Sequence, residues 1–162
     1  MTEEVEICEC EVEDVNDSVK ELWLGLSHEM FEIERLIVPS EANSDRWIEF
    51  VRQGLASGRN FLLVAKSDNA VVGFAFASIF RNYPLEVSKT IGVIDDVYVL
   101  PEFRGKGIGK KLAVGCLNRM KAAGAKAVTL QVLTGNKVAI KLYEKLGFKT
   151  YRYGMLKQIK QY

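Results

Sequence analysis

The spacing of apolar residues along this chain switches between a period of two and a period of three to four, and each switch marks an element. From Val5 to Val12 apolar side chains alternate with glutamates, which predicts a half-exposed first strand. Asp14 to Asp17 supply capping side chains, and from Val15 the residues Val19, Leu22, Trp23, Leu26 and Met30 form a helical stripe. A second helix is expected to begin near Ser44, whose hydroxyl would cap the amides of Arg46 and Trp47. Its buried side carries Trp47, Ile48, Val51 and Leu55, and Gly58 stops it. Phe61–Lys66 and Val71–Arg81 read as a hairpin around the polar break Ser67-Asp68-Asn69-Ala70. A loop containing Pro84 leads to a third long strand, Thr90–Leu100, ended by Pro101. Helical spacing returns from Lys106 to Ala123 through Ile108, Leu112, Cys116, Leu117 and Met120, and Gly124 supplies a left-handed stop. Ala127–Leu133 predicts a buried strand, Asn136–Leu146 a short helix closed by Gly147, and Phe148–Ile159 one or two final strands.

The order β-α-α-β-β-β-α-β-α-β joins a hairpin region to one strand-helix-strand crossover, so the fold class is α/β or α+β with a mixed sheet. At 162 residues and 48 % hydrophobic the chain is long enough for one sizeable core, and we expect a single domain over 1–162. With 22 basic and 21 acidic residues the net charge is +1, which argues against a nucleic-acid partner. No apolar run approaches the roughly 20 residues that span a bilayer, and the first residues are acidic where a secretory signal is basic. A cytoplasmic protein with no membrane partner is the expectation. The three cysteines, Cys8, Cys10 and Cys116, suit free thiols in a reducing compartment. Cys8-x-Cys10 with His28 lacks the spacing of a zinc site, so no metal is expected.

The crossover carries the chemistry. Between strand and helix, Arg104-Gly105-Lys106-Gly107-Ile108-Gly109-Lys110 places glycines at alternate positions. Glycine lets a ligand approach the backbone, and the unpaired amides that open a helix favour an anion. Arg104, Lys106, Lys110 and Lys111 add positive charge suited to a diphosphate. The dinucleotide fingerprint is excluded, because its third glycine would fall at Lys110, and so is the nucleotide-triphosphate loop. On these residues alone, a tight turn with solvated basic neighbours explains the segment as well.

Arg104-x-x-Gly107-x-Gly109 resembles the acyl-CoA signature of the GNAT acetyltransferases at every fixed position. Val97-x-Val99-x-Pro101-x-Phe103 is similar to that family's fourth strand and its exit, and Asn136-x-x-Ala139-x-x-Leu142-Tyr143-x-x-Leu146-Gly147-Phe148 to its second motif block. The resemblance covers the element order of nearly the whole chain and is motif-specific from Asp95 to Phe148. It implies a mostly antiparallel mixed sheet flanked by about four helices and splayed between the fourth and fifth strands. It implies acetyl-CoA as co-substrate, its pantetheine arm along the backbone of Val97, Tyr98 and Val99, and its pyrophosphate on Arg104, Gly105, Lys106, Gly107, Ile108, Gly109 and Lys110. Tyr143 matches the family's general acid, placed two helical turns after Asn136, which reads equally as helix cap and as CoA contact.

Asp95 and Asp96 interrupt an apolar strand, where partial burial would raise a carboxyl pKa. Strand alternation predicts that they face opposite sides of the sheet, so that one of them fronts the cleft. By likeness to small-amine members of the family, Asp95 is the expected base, acting directly or through water. Glu29, Glu32 and Glu34 beside His28 read as a solvated helix face, or as attraction for a cationic acceptor. The activity implied is acetyl transfer from acetyl-CoA to a primary amine by direct attack in a ternary complex, the acceptor being a small amine or polyamine or a peptide or protein amine. The alternative is a non-catalytic acyl-CoA-binding sensor or docking module. A homodimer using Phe148–Tyr162 is a further expectation from the family.

Overall fold

In the computed structural model, which describes residues 4–36, 38–81, 90–157 and 159, one five-stranded sheet organises the chain in the order β1-β2-β3-β4-β5. The strands are β1 Val5–Glu9, β2 Asn60–Ser67, β3 Ala70–Arg81, β4 Thr90–Val99 and β5 Ala127–Leu130. The helices are α1 Asp17–Glu34, α2 Glu41–Ala56, α3 Ile108–Ala122 and α4 Lys137–Lys145. β1 to β4 pair antiparallel, and β5 joins β4 in parallel through α3. This is the mixed α/β sheet that the element order implies.

Local chemistry sets the helix ends. Asn16 accepts from the Ser18 amide at 3.0 Å to cap α1. α2 starts earlier than expected: Ser40 accepts from the Asn43 amide at 3.1 Å, whereas Ser44 is buried and turns its hydroxyl to the Glu41 carbonyl at 2.7 Å. Both serines have capping chemistry, and the one outside the first turn takes the role because the other faces the core.

The sheet separates two kinds of core. One face packs α3 through Leu112, Cys116 and Met120 on Leu63, Ala65, Ala75, Ala77 and Ile94. The other packs α1 and α2 through Val19, Leu22, Ile48 and Val51 on Leu62, Val64, Phe74, Phe76 and Tyr98, with Trp23 and Trp47 at its edge. The alternation of β2 and β3 between these clusters is the period-two pattern of their sequences.

β4 is irregular. Phe76 faces Asp96 and Ala77 faces Ile94, so Asp95 is an extra residue, a β-bulge. The parallel ladder with β5 ends at the same level, at Ile94 opposite Leu130, and β4 runs on to Val99 without a β5 partner. β5 therefore stops three residues before the expected Leu133, and the two strands splay where the bulge twists β4.

The end of the chain departs from expectation. Residues 148–157 and 159 form no strand, and Tyr153 and Met155 are 89 % and 98 % exposed. The alternation that predicts strands there finds no paired neighbour among the described residues. The Pro84 loop and the last residues of the expected dimer segment lie outside the described residues.

Candidate active site

Three elements meet at the open end of the split sheet: the exit of β4, the amino terminus of α3 and the side of α4. A Cβ placed on Gly109 would stand 3.6 Å from Leu142 of α4 and 4.0 Å from Val99 of β4. After Val99 the chain makes a 3-10 turn over Pro101–Phe103, then reverses through Gly105 and Gly107 at φ of 75° and 79°. A side chain resists that left-handed conformation, and among the described residues no atom beyond the chain neighbours lies within 4 Å of where either Cβ would stand. The first helical bond runs from the Lys111 amide to the Gly107 carbonyl at 3.0 Å. Ile108, Gly109 and Lys110 thus present the amides of a first turn, which have no acceptor within the helix. No acidic residue occupies that turn. Backbone donors, the helix dipole and open space around two glycines fit a diphosphate group, as coenzyme A carries.

The basic side chains are arranged differently from the sequence expectation. Arg104 donates through Nε to the Val99 carbonyl at 2.8 Å and through Nη2 to Glu29 at 2.6 Å, with its guanidinium 5.2 Å from the Tyr98 ring centroid. Its backbone amide is also used, bonding the Pro101 carbonyl at 3.2 Å. Arg104 therefore ties the turn to α1, with two of its five guanidinium N–H donors engaged by a carbonyl and a carboxylate. Lys111 reaches back toward the Val5 carbonyl at 3.5 Å, and Lys106 lies over Phe103. Lys110 is exposed beside the first turn of α3.

Asn136 caps α4 by accepting from the Ala139 amide at 3.1 Å. Tyr143 is half-buried, with its ring edge-to-face with Phe148 at 5.8 Å. Burial, reinforced by the nearby Cys116 and Asp96, pushes its hydroxyl up to about 12. It stays protonated at neutral pH and remains available as a proton donor.

The bulge overturns the expectation that Asp95 and Asp96 face opposite sides. Asp96 accepts from Trp47 Nε1 of α2 at 3.2 Å, and Asp95 accepts from Ser78 at 2.5 Å. Ser78 in turn accepts from Asn60 Nδ2 at 2.6 Å, and Asn60 lies directly beneath Gly54 of α2. Both carboxylates thus belong to the α1–α2 face, since the extra residue cancels one step of the alternation. Burial raises both carboxyls. The Ser78 hydroxyl moderates Asp95, while Asp96 reaches about 6 against the pull of Trp47 and with a further push from Asp95. No lysine or arginine among the described residues pairs with either. Trp47, Ser78 and Asn60 are the site residues that sequence reasoning missed. A polar residue in an apolar strand and a tryptophan on a buried stripe were their only signals, because a buried indole N–H needs an acceptor.

Known proteins resemble this chain in sequence and in fold. The acetyltransferase (GNAT) family profile matches residues 23–148. An N-alpha-acetyltransferase of Saccharolobus solfataricus is 33 % identical over 129 residues, covering 75 % of this chain and 73 % of that one. A mycothiol acetyltransferase of Paenarthrobacter aurescens is 36 % identical over 89 residues, 54 % of this chain but only 27 % of the relative, so the chain spans about a quarter of that protein. An aminoglycoside N-acetyltransferase solved in complex with CoA superposes with a TM-score of 0.70 at 20 % identity, covering 98 % of this chain and 96 % of that one. By profile, by aligned relatives and by a sheet split beside a glycine turn, this chain belongs to the acetyltransferase (GNAT) family.

Proposed function

We propose that this protein is an acetyl-CoA-dependent N-acetyltransferase that acetylates a primary amine by direct attack within a ternary complex, as one catalytic domain over 1–162. The observation that carries the reading is the juxtaposition of the left-handed Gly105–Gly107 turn with the gap that opens between β4 and β5 after Ile94. The amides of Ile108, Gly109 and Lys110 hold the pyrophosphate of acetyl-CoA. The edge of β4 over Val97, Tyr98 and Val99, which β5 leaves unpaired, takes the pantetheine amides as a missing strand would, although Arg104 already holds the Val99 carbonyl.

An alkyl ammonium with a pKa near ~10 must lose a proton before it attacks. Asp95 accepts that proton, directly or through water, on the face that α1 and α2 cover. The neutral amine forms the C–N bond as the C–S bond breaks; Tyr143 gives a proton to the departing sulfur, and the second proton, shed by the nitrogen as it becomes an amide, restores the phenol through solvent. A hydroxyl pushed up to about 12 carries its proton at neutral pH, as a donor to the sulfur must. Relatives and neighbours carry three different names, mycothiol acetyltransferase, N-alpha-acetyltransferase and aminoglycoside N-acetyltransferase, so the family leaves the amine open. The free thiols of Cys8, Cys10 and Cys116 support a cytoplasmic setting, and the exposed Tyr151, Tyr153 and Met155 support a second copy as partner.

Thiol release from acetyl-CoA with a panel of small amines, an amino sugar and a peptide bearing a free α-amine tests the reading. Amine-dependent release that falls in Tyr143→Phe is expected. Binding of acetyl-CoA without release in any arm would leave a sensor or docking module instead.

A further inference from the structure

Trp47 holds Asp96 in an unusual way for a half-buried carboxylate. The indole N–H reaches Oδ2 at 3.2 Å, a neutral donor that fixes the group without cancelling its charge. No other hydrogen bond reaches the Asp96 side chain among the described residues, and none of their buried side-chain oxygens lacks a partner, so Oδ1 keeps contact with solvent. The indole itself has little freedom. It stacks on Trp23 with centroids 5.6 Å apart and meets the buried rings of Phe74 and Phe76 edge-on at 5.4 and 5.8 Å. A hydrogen bond needed only for packing would be met as well by an amide or a carbonyl, with no charge to bury. Here two consecutive carboxylates share one face with no ion pair among the described residues, beside half-buried tryptophans whose rings attract cations.

We propose that Trp47 is a positioning residue that aims Asp96 at the acceptor, so that Oδ1 binds the positive charge of an organic ammonium while Oδ2 stays on the indole. The proposal rests on the acetyl-transfer reading for its place beside Asp95, but it concerns binding and is tested by binding.

Calorimetric titration of the CoA-saturated protein with phenethylamine and with its neutral analogue 2-phenylethanol separates charge from shape. The wild type is expected to favour the amine by about tenfold or more, as one ion pair with a cation–π contact gives. Trp47→Phe keeps a ring but loses the N–H, and should cut that preference to about threefold or less while CoA affinity stays within about twofold. Trp47→His, which restores a donor, should recover part of it, and Asp96→Asn should abolish it without weakening the alcohol. Equal binding of amine and alcohol by the wild type, or an undiminished preference in Trp47→Phe, would overturn the proposal. Should Trp47→Phe melt too early to titrate, Asp96→Asn decides alone. A protein that prefers the amine through Asp96 yet never releases thiol refutes acetyl transfer and leaves this inference standing. An active enzyme whose preference ignores Trp47 does the reverse.

Discussion

The aspartate pair lies on β4 and the glycine turn follows that strand's end, some ten residues on, and the two are built on opposite principles. The turn recruits backbone: left-handed glycines and first-turn amides form a cradle whose chemistry does not depend on side-chain identity. The pair recruits side chains: two carboxylates are brought to one face by a bulge and tied to residues 17 and 49 positions away. Backbone sites are robust to exposed substitutions and fragile to conformation, whereas side-chain sites are the reverse.

The comparison is broken most strongly between the two sites, at Tyr143. Tyr143→Phe should lower kcat by roughly 10³-fold if the hydroxyl protonates the leaving sulfur, with CoA affinity unchanged by calorimetry. A loss below about threefold would remove it from the chemistry. Next comes conformation alone. Gly107→Val forces a β-branched residue to φ near 79° where no described atom crowds its Cβ, and should weaken CoA by roughly 10²-fold. Lys110→Ala, which leaves the backbone intact, should weaken it only about threefold and less at high salt.

Asp96 sharpens the contrast through stability. Its carboxyl titrates near 6 when folded against 3.8 when unfolded, so the folded chain binds the proton more tightly. The stabilisation is full below the lower value and is lost as pH rises through the window between the two; above it, the charge costs up to about 3 kcal/mol. Asp96→Asn keeps an acceptor for Trp47 and should gain about 1–2 kcal/mol at pH 7 in urea unfolding, while losing amine affinity. No gain at pH 7, or the same gain at pH 3.5, would contradict the titration. The smallest effect is expected at the exposed Glu29–Arg104 pair, where Glu29→Gln should change stability by less than about 1 kcal/mol.

Most elements were legible in the chain because their causes are local. The stripe Ile108, Leu112, Cys116 and Met120 is buried in α3 as its spacing requires, and the β2–β3 turn falls at Asp68 and Asn69, both at positive φ. The exceptions have nonlocal causes. Ser40 and Ser44 differ in which faces the core, and the alternation in residues 148–159 marks strand propensity without providing a partner.

By itself the sequence determined the order of elements, the left-handed glycine turn and the position of Tyr143 on α4, since periodicity, glycine conformation and helical spacing act within a few residues. Only the tertiary structure decided that Asp95 and Asp96 share a face, that Arg104 turns to Glu29, and that Trp47 holds a carboxylate. Each depends on a bulge or on a contact between distant segments, and no run of neighbouring residues encodes either.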